Sequence, residues 1–155
     1  DYPKDSYPFE VFHYTQVLGA QGKKLSGLSS SRGLRVTYHD PCFLGRRGGV
    51  YDAPRNVLRS IPGVRLIEMR RSRERSLCCG GGGGRMWVEA SRGEKMGEVR
   101  AREAAATGAD TIVTACPFCF TNLDDAVKTA GYEGRIVVKD LTELVAECLP
   151  GRAGA

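Results

Sequence analysis

Apolar residues recur at helical intervals over Phe9–Ala20, with Phe9, Phe12, Val17 and Ala20 on one side, and predict a first helix. A polar stretch rich in Gly and Ser, Gln21–Gly33, reads as an exposed connector. From Leu34 the pattern becomes regular. Leu34–His39 (LRVTYH) reads as a strand that stops at Asp40-Pro41-Cys42, and Tyr51–Ile61 as a helix with Ala53, Val57 and Ile61 on one face. Pro62-Gly63 ends that helix, and Val64–Met69 (VRLIEM) forms a second strand. After the loop Cys78–Gly84, a long helix is expected from about Arg85 to Thr107. Its stripe of mostly small residues (Met86, Ala90, Gly93, Gly97, Ala101, Ala104) permits close backbone packing, and Gly108 stops it. Asp110–Ala115 is a third strand, running into Cys116. Pro117 suits a first helical position, where its missing N–H is no loss. That helix runs to about Ala130. Arg135–Asp140 is a fourth strand, and Asp140 or Thr142 caps a short last helix ending at Cys148.

Strands alternating with helices imply an α/β fold: a Rossmann-like parallel four-stranded sheet flanked by helices, with right-handed crossovers. The expected organisation is an N-terminal helical segment and linker over 1–33, one domain over 34–149, and a tail over 150–155. No internal repeat is visible.

The 155 residues suit one domain, and 41% hydrophobic content is enough for an ordinary core. No apolar run approaches the ~20 residues of a membrane-spanning helix, and no signal-peptide pattern is present. These features suggest a cytoplasmic protein. Because the chain starts at Asp1, it is expected to be a piece of something longer. Net charge is +5, and between Phe43 and Arg75 nine arginines face Asp52, Glu68 and Glu74. Such a run favours anionic partners. The plainer reading, a solvated face or a contact with another part of the protein, carries more weight. Basic residues interleaved with aromatics are not evident, so nucleic acid is not expected.

Six cysteines change the picture: Cys42, Cys78, Cys79, Cys116, Cys119 and Cys148. A disulfide framework suits small secreted chains without a core, which this is not. Cys42 follows the first strand, Cys78-Cys79 the second after a loop, and Cys116 the third. In a parallel sheet those carboxyl ends share the edge where open α/β sheets bind ligands. Cys119 lies one helical turn beyond Cys116, on a stripe with Leu123 and Ala126 that points it inward. Five thiols are therefore expected at one site. Cys148 shares its spacing with Leu141, Leu144 and Val145 and reads as a core residue.

The chemistry of five thiols is a choice among several centres. The Cys116–Cys119 pair alone would fit a thiol–disulfide exchanger or half a zinc site. Zinc takes four ligands, leaving one thiolate surplus. Iron–sulfur clusters use thiolates, are larger and carry net negative charge. Five consecutive glycines, Gly80 to Gly84, can bring backbone N–H groups against sulfur without Cβ clashes, and the helices that follow add positive N-terminal ends. A phosphate loop is the weaker rival for the glycines, since the Gly-Lys-Ser/Thr ending and the GxGxxG turn are both missing.

Cys42, then Cys78-Cys79-Gly80, then Cys116-Pro117-Phe118-Cys119, within HDPC, CCGGGGGRMW and ACPFC, resembles the cysteine-rich CCG domain of heterodisulfide reductase subunits and related (Fe-S) oxidoreductases, especially the heterodisulfide-reductase-D-like group. The resemblance spans about Val36 to Val145. It implies a [4Fe-4S]-type cluster, noncubane in heterodisulfide reductases, with Cys42, Cys78, Cys79, Cys116 and Cys119 as ligands and zinc as the alternative occupant. The chain would then be the C-terminal domain of a heterodisulfide-reductase-like oxidoreductase. It would pass electrons toward a disulfide or quinone and would not be catalytic alone. A structural zinc-binding or assembly domain is the alternative. Family subunits usually carry two such domains and often an upstream ferredoxin-like domain, and this chain carries one CCG set. Implied partners are ferredoxin-like, flavoprotein or membrane quinone-linked subunits, with any membrane contact, at its inner face, made through them.

No catalytic residue is singled out. Gly80, Gly81 and Gly82 are the expected backbone donors to the cofactor. His39 could donate a hydrogen bond or move a proton, and Arg85 could face an anionic cluster or substrate, as could Arg46 and Arg47. Trp87 and Phe118 either shield the centre or pack in the core, and His13 reads as a packed helix residue.

Overall fold

The computed structural model describes residues 8–21, 27–28, 30, 33–88 and 93–150. The helix α1 (Tyr14–Ala20) precedes β1 (Leu34–Tyr38), α2 (Asp52–Ser60) and β2 (Val64–Leu66). Then come α3 (Met96–Ala105), β3 (Thr111–Thr114), α4 (Pro117–Thr129), β4 (Val137–Asp140) and α5 (Leu141–Glu147). The four strands form one parallel sheet in the order β2-β1-β3-β4. Val36 pairs with both Leu66 and Thr111, and Thr114 pairs with Asp140.

The central strands β1 and β3 read as nearly unbroken apolar or β-branched runs because both faces of the sheet are covered. On one face Val36, Tyr38 and Val113 pack with Val57, Leu58 and Ile61 around α2, with Leu141 and Leu144 of α5, and with Cys148. On the other, Ile112 and Val138 meet Ala101 and Ala104 of α3 and Leu123, Ala126 and Val127 of α4. Cys148 is thus a core residue, as its spacing suggested.

The chain leaves β1 toward β2 in one direction and later leaves β3 toward β4 in the other. The reversal falls between β1 and β3, so a crevice opens at their carboxyl ends, the usual ligand position in such sheets.

Two helix expectations need correction. The first helix begins at Tyr14, not Phe9. His13 caps it: its ring accepts the Thr15 N–H, and the Gln16 side chain accepts the His13 N–H at 2.9 Å. Phe9, Val11 and Phe12 stay exposed ahead of that cap. The helix expected over 85–107 shrinks to Met96–Ala105. Gly83 (φ 64°) and Gly84 (φ 77°) sit in the left-handed region and break the segment Gly82–Trp87 into tight turns. Of the small-residue stripe, Gly97, Ala101 and Ala104 are buried on α3, Met86 and Gly93 lie outside any α-helix, and Ala90 falls outside the described residues. The close approach is real where the helix exists. A Cβ at Gly97 would lie 3.0 Å from Ala126 Cβ, from Asn122 Nδ2 and from the Cys79 carbonyl. The strands are shorter than their apolar runs, since β2 pairs only through Leu66 and β4 begins at Val137. Most of the connector over 21–33, and the tail after 150, lie outside the described residues.

Candidate metal centre

Each cysteine is placed by a loop with its own anchor. Beyond β1, Asp40 is buried and takes a two-pronged contact from Arg55 of α2, at 2.6 and 2.9 Å. The same guanidinium makes a second fork with Glu68, at 2.6 and 2.9 Å, and caps the Tyr51 carbonyl. Asp40 Oδ2 also accepts the Arg73 N–H at 2.8 Å. One carboxylate therefore ties the Pro41-Cys42 turn to α2 and to the loop that leads to Cys78-Cys79. Arg73 itself has φ 57°, a conformation that non-glycine residues rarely adopt. Arg46 adds a second tie by donating to the Ser76 carbonyl at 2.7 Å. Of the basic run only Arg55 is buried; Arg71 and Arg73 pair with Glu103 and Asp52 at the surface, and most of the remaining arginines stay exposed.

At the Cys78-Cys79 turn, the Gly80 N–H donates to Cys78 Sγ at 3.3 Å and the Gly81 N–H to Cys79 Sγ at 3.4 Å. Successive amides aimed at sulfur make a small anion nest. The glycines divide by role. Gly80 has φ 89°, and a Cβ there would lie 3.3 Å from Met96 Cβ and 3.4 Å from the Gly97 nitrogen; one on Gly81 would lie 3.2 Å from Asn122 Cβ. Gly82 is exposed, with open space where a Cβ would go. Asn122 Nδ2 donates a short hydrogen bond to the Cys79 carbonyl and pins this turn to α4.

Cys116 is the N-cap of α4, Pro117 opens that helix, and Cys119 sits in its first turn pointing inward with Leu123 and Ala126. The Cys116 thiol is brought down to about 6, first by a hydrogen bond from the Cys119 thiol and then by the Cys119 and Phe118 backbone amides, against the effect of burial. Cys79 is lowered to about 4, chiefly by a hydrogen bond from Cys119, with His39 and the Gly81 N–H contributing. Cys119 is pushed up by the neighbouring Cys116 and Cys79 sulfurs, which compete for its single proton, and by burial. Cys78 is raised by burial. All six cysteines are free thiols.

Cys42, Cys79, Cys116 and Cys119 line one open cavity of about 1010 Å³ at the crevice, with Gly81 to Gly84 along one side. Cys78 is half-buried and not part of this lining, with the charges of Cys79 and Cys42 acting on its thiol. Phe43, Trp87 and Phe118 are 70%, 81% and 59% exposed and form an apolar rim, so none of the three is a core residue. His13 is likewise no core residue, since it caps α1 and faces this cavity. Arg85 is exposed and lines a smaller neighbouring cleft beside Gly80 and Asn122, and Arg47 stacks over Phe43 at 5.1 Å.

His39 is buried at the end of β1, and one of its ring nitrogens lies within 4.8 Å of the Cys79 and Cys119 sulfurs. Burial lowers its proton affinity, which keeps the ring neutral. Its Nδ1 accepts from Arg100 Nε at 3.1 Å. Sequence reasoning missed Arg55, Arg100 and Asn122. A signal existed for Arg100, which falls at i+3 between Gly97 and Ala101 on the small-residue face and so had to be buried with it.

A family comparison matches residues 36–124 to the cysteine-rich domain named CCG, a span that takes in Cys42, Cys78, Cys79, Cys116 and Cys119 and leaves out Cys148. The chain belongs to the CCG cysteine-rich domain family. Relatives agree. "Probable iron-sulfur-binding oxidoreductase FadF" of Bacillus subtilis is 41% identical over 97% of this chain and 22% of its own length. "EtfAB:quinone oxidoreductase" of Syntrophomonas wolfei is 40% identical over 94% of this chain and 21% of its own length. A component of the dihydromethanophenazine:CoB–CoM heterodisulfide reductase of Methanosarcina barkeri is 46% identical over 92% of this chain and 34% of its own length. This CCG domain therefore spans between about a fifth and a third of these relatives. Among its described residues no helix is long and apolar enough to cross a membrane.

Proposed function

We propose that this CCG domain holds an iron–sulfur cluster at the crevice between β1 and β3 and relays electrons within a larger oxidoreductase. The carrying observation is the convergence of sulfur: the turn after β1, the loop after β2 and the start of α4 deliver Cys42, Cys79, Cys116 and Cys119 to one cavity, with Cys78 next to Cys79 and close enough to Cys42 for its charge to be felt. These five are the ligands of this reading, and the centre is of the [4Fe-4S] type, noncubane by family resemblance. When bound, such a cluster takes up and returns single electrons. The chain's own groups fit a large anion. The Gly80 and Gly81 amides donate to sulfur, α4 presents its positive end, and Gly82 and Arg85 stand nearby at the rim. Phe43, Trp87 and Phe118 limit water around the site, which acts on potential. As in relatives named for a quinone and for a heterodisulfide, the acceptor is a quinone or a disulfide, reached through other domains or subunits that also supply any membrane contact.

A second reading rests on a separate observation. His39, Cys79 and Cys119 place one ligand atom each within 4.8 Å of one another, a spacing suited to a single ion such as zinc. Anaerobic purification of the whole protein, with iron, sulfide and zinc analysis and electron paramagnetic resonance of wild type and Cys79→Ser, separates the two. The cluster reading expects iron, sulfide and a redox-active signal that Cys79→Ser alters. One tightly held zinc with no iron and no redox signal would overturn it.

A further inference from the structure

Arg100 is a fully buried cation with four of its five N–H groups hydrogen-bonded. Its Nη1 donates to the Arg71 carbonyl at 2.7 Å and to Glu103 at 2.8 Å, its Nη2 to Ser76 Oγ at 3.1 Å, and its Nε to His39 Nδ1 at 3.1 Å. A guanidinium has no lone pair to offer and does not lose its proton in proteins. His39 Nδ1 must therefore be the acceptor, which leaves the single ring proton of a neutral imidazole on Nε2. Nε2 is buried and makes no hydrogen bond of good geometry among the described residues, and the acceptors within reach of the ring are the Cys79 and Cys119 sulfurs, within 4.8 Å. A buried donor in that position calls for an acceptor.

We infer that Arg100 is a positioning residue: it fixes His39 in the Nε2–H tautomer and so makes His39 a hydrogen-bond donor to the sulfur of the centre rather than one of its ligands. A histidine bound to metal through Nε2 ordinarily donates its Nδ1–H to a carbonyl or carboxylate. Here Nδ1 faces a donor, and ligation through Nε2 would require an imidazolate. The inference rests on the proposed metal centre only for its redox consequence; the tautomer belongs to the chain itself. A donor on ligand sulfur favours the more negative, reduced state. Loss of that donor shifts the reduction equilibrium toward the oxidised form by about tenfold, about 59 mV for one electron.

The test has two arms. In the metal-free chain, nitrogen-15 labelled histidine read by long-range proton–nitrogen correlation is expected to show His39 as Nε2–H, with that preference lost in Arg100→Met. A wild-type His39 carrying its proton on Nδ1 would overturn the inference, whichever metal the site takes. In the cluster-loaded whole protein, redox titration followed by electron paramagnetic resonance compares His39→Gln, whose amide can both accept from Arg100 and donate to sulfur, with His39→Leu, which can do neither. His39→Gln is expected to keep the potential and His39→Leu to lower it. Adding Arg100→Met to His39→Leu is expected to lower it no further, whereas an additive drop would mean that Arg100 acts through its own charge and would refute the relay. If Arg100→Met does not fold, the wild-type tautomer and the His39 pair decide alone. Should the protein prove to hold zinc, retention of the Nε2–H signal on zinc loading supports the inference, and its replacement by a coordination shift overturns it.

Discussion

Arg55→Met is the sharpest probe of how the site is held. Arg55 is completely buried between Asp40 and Glu68, with its guanidinium 5.2 Å from the centre of the Tyr38 ring. Methionine keeps much of the stem's apolar volume and removes both forks. Glu68 is 34% exposed on its side chain and regains water, so its loss is small. Asp40 is 3% exposed and would retain only the Arg73 N–H, leaving a buried, largely uncompensated carboxylate. Removing one member of such a pair costs about 3–5 kcal/mol. At roughly 2–4 °C per kcal/mol for a domain of this size, the melting midpoint falls by about 6–20 °C. Guanidinium and thermal unfolding of the metal-free chain, followed by circular dichroism, measure this. The cause is specific, so the remedy is too. Asp40→Asn, added to Arg55→Met, removes the stranded charge, and the double variant should lose about 0.5–3 kcal/mol less than the sum of the single losses. A change under about 1 kcal/mol for Arg55→Met, or strict additivity, would refute the claim that Arg55 is the counter-ion Asp40 relies on. Metal content should fall with stability, because the same carboxylate aligns the Cys42 turn and the loop before Cys78.

Three further outcomes follow from the geometry. Gly80→Ala, at φ 89° and against α3, should cost about 1–2 kcal/mol and reduce metal loading, while Gly82→Ala, with open space for its Cβ, should change neither in parallel melts and metal analysis. In the metal-free chain, iodoacetamide labelling of Cys116, mapped by mass spectrometry, should rise with a midpoint near pH 6, because the Cys119 thiol and the α4 amides hold its thiolate. A folded value of about 6 against an ordinary 9.0 means that this thiolate stabilises the fold fully above pH 9 and not at all below pH 6. The stability gap between wild type and Cys116→Ser should therefore widen as pH rises across that window, and a gap independent of pH would contradict it. Amide exchange over residues 80–84 should slow when the centre is loaded, since two of these amides point at ligand sulfur; equal exchange in both states would remove the cradle role.

Much of the fold was legible because its signals are local. The runs at Leu34, Asp110 and Arg135 are strands of the one parallel sheet, Pro117 opens a helix, and Asp140 caps another with Glu143 reaching back to its N–H. The helix expected over 85–107 failed for an equally local reason: a small-residue period continued on paper through glycines whose backbones turn left-handed. For the rim the sequence leaves two readings open. Trp87 and Phe118 are apolar, and only the folded surface shows that they face out beside the cavity.

By itself the sequence determined the parallel α/β sheet, the edge on which the cysteines would gather and the separation of Cys148 from the other five, because strand ends and helix periods are set by neighbours in the chain. The tertiary structure alone decided which charges are spent holding the site. Arg55 meets Asp40 across 15 positions and Arg100 meets His39 across 61, pairings that no local period encodes. They persist because a buried guanidinium needs acceptors for its N–H groups, and in this fold Asp40, His39 and Ser76, beside the cysteines, supply part of them.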